Sequence, residues 1–281
     1  MSMKTCAVII VTHNSEIHIP KAIECLKQQT FPASRVIIVD SGSSNTDYLL
    51  GYKNESNVEL IMGHHDIGFC KGNNIGLEKV PSHYDYVFFL NPDAFVTPRF
   101  LEDSVNFLEK TENQHYGALT GTVLGYDIQK DKPTDKYDST GIFRTWYGRW
   151  YDRGQGLHYN ESDFKAVESI PAICGAVFFC RKKALDDVLI RGKEVMDNTF
   201  FMYKEDIDLS LRLRRNGWSL AFVPNFHVYH CRGWNRDRSK MPREFRLCSA
   251  RNELRIQARS LSPIPFGYSL LKYASVRLFN L

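Results

Sequence analysis

Five acidic positions and one histidine carry most of the chemistry this sequence offers: Asp40, Asp66, Asp93, the adjacent pair Glu205 and Asp206, and His230. Asp93 closes the triplet Asn91-Pro92-Asp93, directly after the apolar run Tyr86–Leu90. An apolar run cut off by Asn-Pro reads as a buried strand that delivers polar side chains to a sheet edge, because proline cannot continue the ladder. A carboxylate there suits a divalent cation held against a phosphate, since hard cations take oxygen ligands and leave positions open for substrate. A ligand-free Asn-Pro-Asp turn uses the same residue types, so the chemistry is judged by what else reaches that edge. Glu205 and Asp206 open a stretch read as a helix, where the dipole favours an ionised carboxylate. That is a place for a general base, or only a helix-start signal. His230 ends an apolar stretch beginning near Trp218 and is a candidate metal ligand through its imidazole.

Three further strands position the remaining polar residues. Ala7–Val11, Val36–Val39 and Val58–Met62 are short apolar runs, ending near Thr12 and Asn14, Asp40 and Ser43, and Asp66 and Gly68. Such strands alternating with helical segments imply crossover units and a mostly parallel sheet. Ligands of open sheets bind beyond the carboxyl ends of the strands. The cleft expected there suits a nucleotide, with Asp40 placed for a ribose or base edge. Gly68, Gly72 and Gly76 recur every four residues, through Phe69, Lys71, Asn73 and Asn74, in neither the P-loop nor the dinucleotide-binding order. Their spacing serves close approach of a helix to another backbone, or a flexible turn. Ser15 is expected to cap a helix over 16–29, and 99–110 reads as an amphipathic helix.

The middle of the chain changes character. Gly125–Phe164 reads as a long loop rich in Asp, Gly and aromatic residues, including Trp146, Trp150 and Tyr151. It offers a platform for sugar rings or a satellite core. Ile170–Phe179 reads as a buried strand, with Gly175 where a ligand or backbone comes close.

Of the 281 residues 43% are apolar and 24% charged, the balance of a globular protein with a full core. One α/β domain with elaborations is expected. Seven scattered cysteines without a C-x-x-C pair argue for reduced thiols in a cytosolic setting rather than disulfides or a zinc site. No run approaches the ~20 apolar residues of a membrane span. From Arg232 to Arg259 basic residues recur, including Arg236, Arg238, Lys240 and Arg251, a stretch fit for nucleic acid, anionic lipid or phosphate, or for plain solvation. The tail 261–281 is either an amphipathic segment resting on a bilayer or one packed on protein.

Taken together and in order, AVIIVTHN, VIIVDSGSSN, DIGFCKGNNIG, FFLNPDA, ICGAVFFCRKKAL, FFMYKEDIDLSLRLRRNGW, VPNFHVYH and the late Arg251-Asn252 resemble the inverting glycosyltransferases of family 2, and among them the rhamnosyltransferase-type branch. The resemblance implies a GT-A fold: a Rossmann-like, mostly parallel mixed sheet flanked by helices, with a C-terminal helical extension. The glycosyltransferase domain would span 1–260, its donor-binding half 1–122 and its acceptor-side half 123–260. It implies donor contacts at Thr12, Asn14, Asp40, Ser43, Asp66, Gly68, Phe69, Lys71, Asn73, Asn74, Asn91, Asp93 and Arg251. The aromatic stretch and the strand glycine noted above are the expected acceptor contacts, at Trp146, Trp150, Tyr151 and Gly175. The resemblance further implies Mg2+ or Mn2+ on Asp93 and His230, and Asp206, paired with Glu205, as general base. Asn91 stands where the family's D-x-D signature has its first Asp.

The expected partners are a nucleoside-diphosphate sugar and a glycan or lipid-linked saccharide, without nucleic acid. The expected location is the cytoplasm, at the inner face of the membrane if the tail rests on lipid. A non-catalytic sugar-nucleotide or glycan-binding protein is the alternative that Asn91 keeps open. A nucleotidyltransferase is disfavoured, since no glycine-rich loop with trailing Arg and Lys follows the first strand.

Overall fold

The structure, a computed structural model, describes residues 4–232, 241–260 and 262–279. The chain opens with β1 (Cys6–Thr12), α1 (Ile19–Lys27), β2 (Arg35–Asp40), the single turn α2 (Asp47–Leu50), β3 (Val58–Ile61), α3 (Phe69–Glu78), β4 (Tyr86–Leu90) and β5 (Ala94–Val96). It continues through α4 (Phe100–Glu109), β6 (Tyr116–Asp127), β7 (Lys132–Ser139), β8 (Ile142–Arg144), β9 (Trp150–Asp152), β10 (Glu168–Ser169), β11 (Val177–Arg181) and α5 (Lys182–Asp186). The final elements are α6 (Glu205–Arg215), β12 (Ser219–His230), α7 (Arg243–Ser260) and α8 (Pro263–Phe279).

One mixed sheet in the order β10-β12-β6-β11-β4-β1-β2-β3 runs through both halves of the chain. Its β4-β1-β2-β3 part is wholly parallel, as the crossover pattern predicts. Beyond it β11 runs antiparallel to both β4 and β6, while β12 is parallel to β6. Every residue of β1 and β4 is buried, which accounts for their unbroken apolar sequence. The glycine spacing in α3 serves close approach. A Cβ on Gly72 would lie 2.6 Å from Val11, and one on Gly76 2.5 Å from Ile9, so the helix lies against β1 with no room for side chains.

Three expectations change. Ser15 is not a side-chain cap: α1 starts only at Ile19, and Ser15 contributes its carbonyl, which accepts from the amides of His18 and Ile19. Pro20, near the first helical position, sets that start, because a missing N–H costs nothing there. The strand expected over 170–179 begins at Val177, and the preceding residues form an irregular segment with Ala172 and Ile173 fully buried. Burial without a ladder is apolar too, and continuous hydrophobicity does not separate the two. The stretch 125–164 is not a plain loop but holds the end of β6, the strand β7 and the β8–β9 hairpin. The exposed, polar first half of β7 hides its period.

Candidate active site

The carboxyl ends of β1, β2 and β3 form a dense hydrogen-bonded corner. Register places Thr12 beside Asp40. Asp40, fully buried, accepts from the amides of Gly42 and Ser43 and from Ser43 Oγ. Thr12 Oγ1 and Ser43 Oγ both meet the Tyr48 hydroxyl, at 3.1 and 3.0 Å. Asn14 is exposed and stands at φ 49°, with its Oδ1 accepting from Ser44 N. Ser41 Oγ donates to Asp66 at 2.9 Å and also meets the Gly68 amide, tying the end of β2 to the start of α3. Thr12, Asn14, Asp40, Ser43, Asp66 and Gly68 are thus gathered as the sequence suggests, with Asp40 in a structural role within its own turn. Lys71 is exposed on α3, and Asn73 Nδ2 donates to its own helix at the Phe69 carbonyl. Asn74 does not face a donor. Its amide is fully engaged with Val195, Met196 and Asn198, so it pins that segment to α3.

A cavity of about 1410 Å³ is lined by Phe69, Asn91, Asp93, Glu205, Asp206 and His230; Phe69 follows Gly68 of the corner, while Thr12, Asn14, Asp40, Ser43, Asp66 and Gly68 themselves are outside its lining. Asp93 Oδ1 lies 3.2 Å from His230 Nε2, and His230 Nδ1 lies 2.8 Å from Asp138 Oδ2. Asp138 also pairs with Arg232 Nε, and Arg232 reaches Asp152 Oδ2 at 2.9 Å, so charges alternate through a buried row. Burial disfavours the His230 cation, yet Asp93 and Asp138 outweigh it and push the imidazole up to about 10. Burial likewise opposes ionisation of Asp93, and the charge and hydrogen bond of His230 overcome it, leaving the carboxyl below its usual range.

The donor set beside Asp93 fits a divalent cation. Asn91 Oδ1 is a buried acceptor without a hydrogen-bond partner and lines the same cavity as the Asp93 carboxylate and the His230 imidazole, whose far nitrogen is oriented by a carboxylate as in many metal sites; a bound cation would replace the Nε2 proton that faces Asp93. Among the described residues no group of three or more His, Cys, Asp or Glu is arranged for a metal, so the amide of Asn91 is needed to complete three protein donors.

Glu205 and Asp206 start α6 after Lys204, which holds a left-handed backbone at φ 74°. Asp206 Oδ2 accepts from the Gly175 amide at 3.0 Å, and its Oδ1 from the Ile207 amide at 2.8 Å. A Cβ on Gly175 would lie 3.3 Å from the Asp206 Cβ, which gives the glycine its purpose. Burial raises the Asp206 pKa, with the Gly175 amide and Lys204 acting against it. Glu205 is buried with Oε2 unpartnered; desolvation and then repulsion from Asp206 raise its pKa, so the site favours its protonated form. A carboxylate with a raised pKa, held by two backbone amides and facing a cavity, is suited to accept a proton.

Residues 7–189 match the family described as Glycosyl transferase family 2. The chain belongs to that family. It is 28% identical over 235 residues to the rhamnosyltransferase WbbL of Escherichia coli (strain K12), covering 79% of this chain and 82% of that one. It is 22% identical over 236 residues to the N-acetylglucosaminyl-diphospho-decaprenol L-rhamnosyltransferase of Mycobacterium tuberculosis (strain CDC 1551 / Oshkosh), covering 79% and 75%. Among solved structures, GalNAc-T7 with UDP, GalNAc and Mn2+ superposes with a TM-score of 0.67 at 15% identity, over 91% of this chain and 48% of that one. S. aureus TarS superposes with a TM-score of 0.59 at 17% identity, over 98% of this chain and 43% of that one. The family 2 chain spans less than half of either solved chain and shares their GT-A-like fold.

The acceptor-side expectations for this family 2 member divide. Trp150, Tyr151 and Gly175 line the cavity, whereas Trp146 is 80% exposed and outside its lining. Tyr147 and Arg149, also in the β8–β9 turn, line it instead. Arg251 is exposed on α7 and does not reach the cavity, while Arg246 and Ser249 do. Arg236, Arg238 and Lys240 lie outside the described residues. Asp138 and Asp152 carry no signal in the sequence, and Arg232 enters there only as the start of a basic stretch; the structure pairs all three beside His230.

The tail packs on protein along α8. Lys272 pairs with the buried Glu253 of α7, and Tyr268 meets Tyr147 edge-on at 5.1 Å. Leu271, 70% exposed, and Ser275 border the cavity, while Ile264, Leu270, Leu278 and Phe279 are exposed along the same helix. No helix among the described residues is long and apolar enough to cross a membrane.

Proposed function

We propose that this chain moves one sugar, with inversion, from a nucleoside-diphosphate sugar to a hydroxyl of a glycan or lipid-linked saccharide in the synthesis of cell-surface polysaccharide. The observation that carries the reading is the Asp206 carboxylate, held by two amides and opening to the same cavity as Asn91, Asp93 and His230. Asp206 takes the proton of the acceptor hydroxyl as its oxygen attacks the anomeric carbon, and the nucleoside diphosphate leaves from the opposite face. Asn91 Oδ1, Asp93 and His230 Nε2 would hold Mg2+ or Mn2+, which when bound offsets the charge of the leaving diphosphate. Asp138 orients His230, and Glu205, in the protonated form that the site favours, adds no second negative charge beside the base.

The donor lies along the Thr12–Asp40–Ser43 corner with Asp66 and Gly68, and the acceptor against Tyr147, Trp150, Tyr151 and Gly175. Rhamnose on deoxythymidine diphosphate is the first donor to test, supported by the two rhamnosyltransferases to which the chain is similar. The exposed apolar residues of α8 beside the cavity support a lipid-linked acceptor and work at the cytoplasmic face of a membrane. The test is turnover of deoxythymidine-diphosphate rhamnose, followed by NMR so that the anomeric configuration of the product is read. Asp206→Asn should bind the donor as wild type does and lose ~10² to 10⁴ in rate. Loss of donor binding together with turnover would assign Asp206 a structural role instead.

A further inference from the structure

Asn252 is fully buried on α7 and does not line the cavity, yet it is bound to the segment that delivers the base. Its Nδ2 lies 2.8, 2.9 and 3.0 Å from the carbonyl oxygens of Phe200, Met202 and Tyr203. Cys248 Sγ, one turn earlier on α7, lies 3.5 and 3.4 Å from the Phe200 and Met202 carbonyls, which share its single S–H donor. The carbonyls they hold belong to a strained stretch. Phe201 stands at φ 62°, ψ −64°, and the Met202 amide donates to the Phe200 carbonyl at 2.7 Å, which makes a γ-turn of the rare, strained hand. Tyr203 and Lys204 follow at φ 66° and 74°, so three side-chain-bearing residues occupy positive φ within four positions. Such backbone persists only where surrounding contacts over-determine it, and it concentrates at functional sites. Glu205 and Asp206 come next in the chain.

The same loop reaches the donor side. The Phe201 ring lies where a side chain on Gly68 would stand, 2.4 Å from an ideal Cβ, and the Phe201 carbonyl accepts from the Cys70 amide at 3.1 Å. One short strained segment therefore joins the start of α3 to the start of α6. Asn252 is the side chain whose two N–H donors are shared among three of its carbonyls.

We propose that Asn252 is a positioning residue for Asp206, its amide holding loop 200–204 in the conformation that presents the base to the cavity. This rests on the reading of Asp206 as the base. A side chain that merely fastened α7 to the domain would be replaceable by any group of its size. Asn252→Asp keeps the volume and exchanges the donating amide for an acceptor; Asn252→Ser keeps one donor. Hydrogen exchange measured by mass spectrometry on the whole chain should show amides 201–206 exchanging about tenfold faster or more in Asn252→Asp, with β1 and β4 unchanged. With deoxythymidine-diphosphate rhamnose, kcat should fall ~10²-fold, the cost of a small misplacement of a reacting group, with KM for the donor within about twofold. Asn252→Ser should fall between, and it carries both readouts if Asn252→Asp does not fold. Wild-type exchange and kcat in Asn252→Asp would overturn the proposal, as would exchange raised evenly across the sheet with kcat and KM changing together. If the wild type turns over no donor, the proposed function fails separately, and unchanged exchange at 201–206 still overturns the clamp.

Discussion

Replacing Glu205 by Gln tests the electrostatics of the site through stability before any substrate is known. The carboxyl is buried, its Oε2 has no partner, and its pKa is lifted from 4.5 to about 8, first by desolvation and then by Asp206. The sign follows from linkage. Below pH 4.5 the group is protonated folded and unfolded, and it costs nothing. Between 4.5 and about 8 the unfolded chain ionises while the folded chain keeps its proton, so stability falls as pH rises. Above about 8 the penalty is complete. At ~1.4 kcal/mol per unit the ceiling is about 5 kcal/mol, and relaxation and water entry around a cavity-lining group reduce it to a fraction of that. Glutamine has the same shape and never ionises. Thermal melting of wild type and Glu205→Gln, followed at pH 5, 7 and 9, should therefore show the variant level with wild type in acid and above it by several degrees in base, at the ~2–4 °C per kcal/mol typical of larger domains. The variant should also keep its turnover near pH 7, where it mimics the protonated wild-type group. A gap that does not widen with pH, or a variant less stable than wild type at pH 9, would refute the reasoning and point to an ionised, partnered Glu205.

Three further outcomes follow from the same geometry. Turnover should decline as pH falls through the raised Asp206 pKa, because only the ionised base accepts a proton, so the acid limb of kcat should lie above the ordinary carboxylate range and vanish in Asp206→Asn. Gly72→Ala places a Cβ 2.6 Å from Val11 and should push α3 off β1, lowering stability by ~1–3 kcal/mol in urea titration without changing the acid limb. Asp138→Asn breaks a buried charge row and should cost ~3–5 kcal/mol of stability. With His230 no longer oriented by a carboxylate, Mn2+ affinity read by calorimetry should weaken ~10- to 100-fold.

The parts of this molecule legible from sequence are those whose physics is local. β1, β2 and β4 are covered on both faces, so their residues are almost uniformly apolar and end sharply in polar turns. The approach of Asp93 and His230, 137 positions apart, is made by pairing of β5 with β12, and only the family resemblance joined them beforehand. Asp138 was hidden by the exposed, polar first half of β7, and Asp152 by the three-residue length of β9, which leave no alternation to read. Arg251 and Asn252 illustrate the remaining gap. They are adjacent on α7, but one helical step turns Arg251 to solvent and Asn252 into the core, and composition alone does not say which face is inward. Asn74 is likewise a buried amide, bonded to 195–198, although Lys71 one turn before it on α3 is exposed.

Nucleotide-sugar binding at the Asp93 edge is the property that the proposed reaction requires first. Isothermal calorimetry of the whole chain against a panel of nucleoside diphosphates and their sugars, each with and without Mn2+ or Mg2+, measures it. Micromolar binding of one donor class, strengthened by the cation and lost in Asp93→Ala while that variant stays folded, is the predicted result. A folded wild-type protein that binds no member of the panel, or binds one equally well without Asp93, would contradict it.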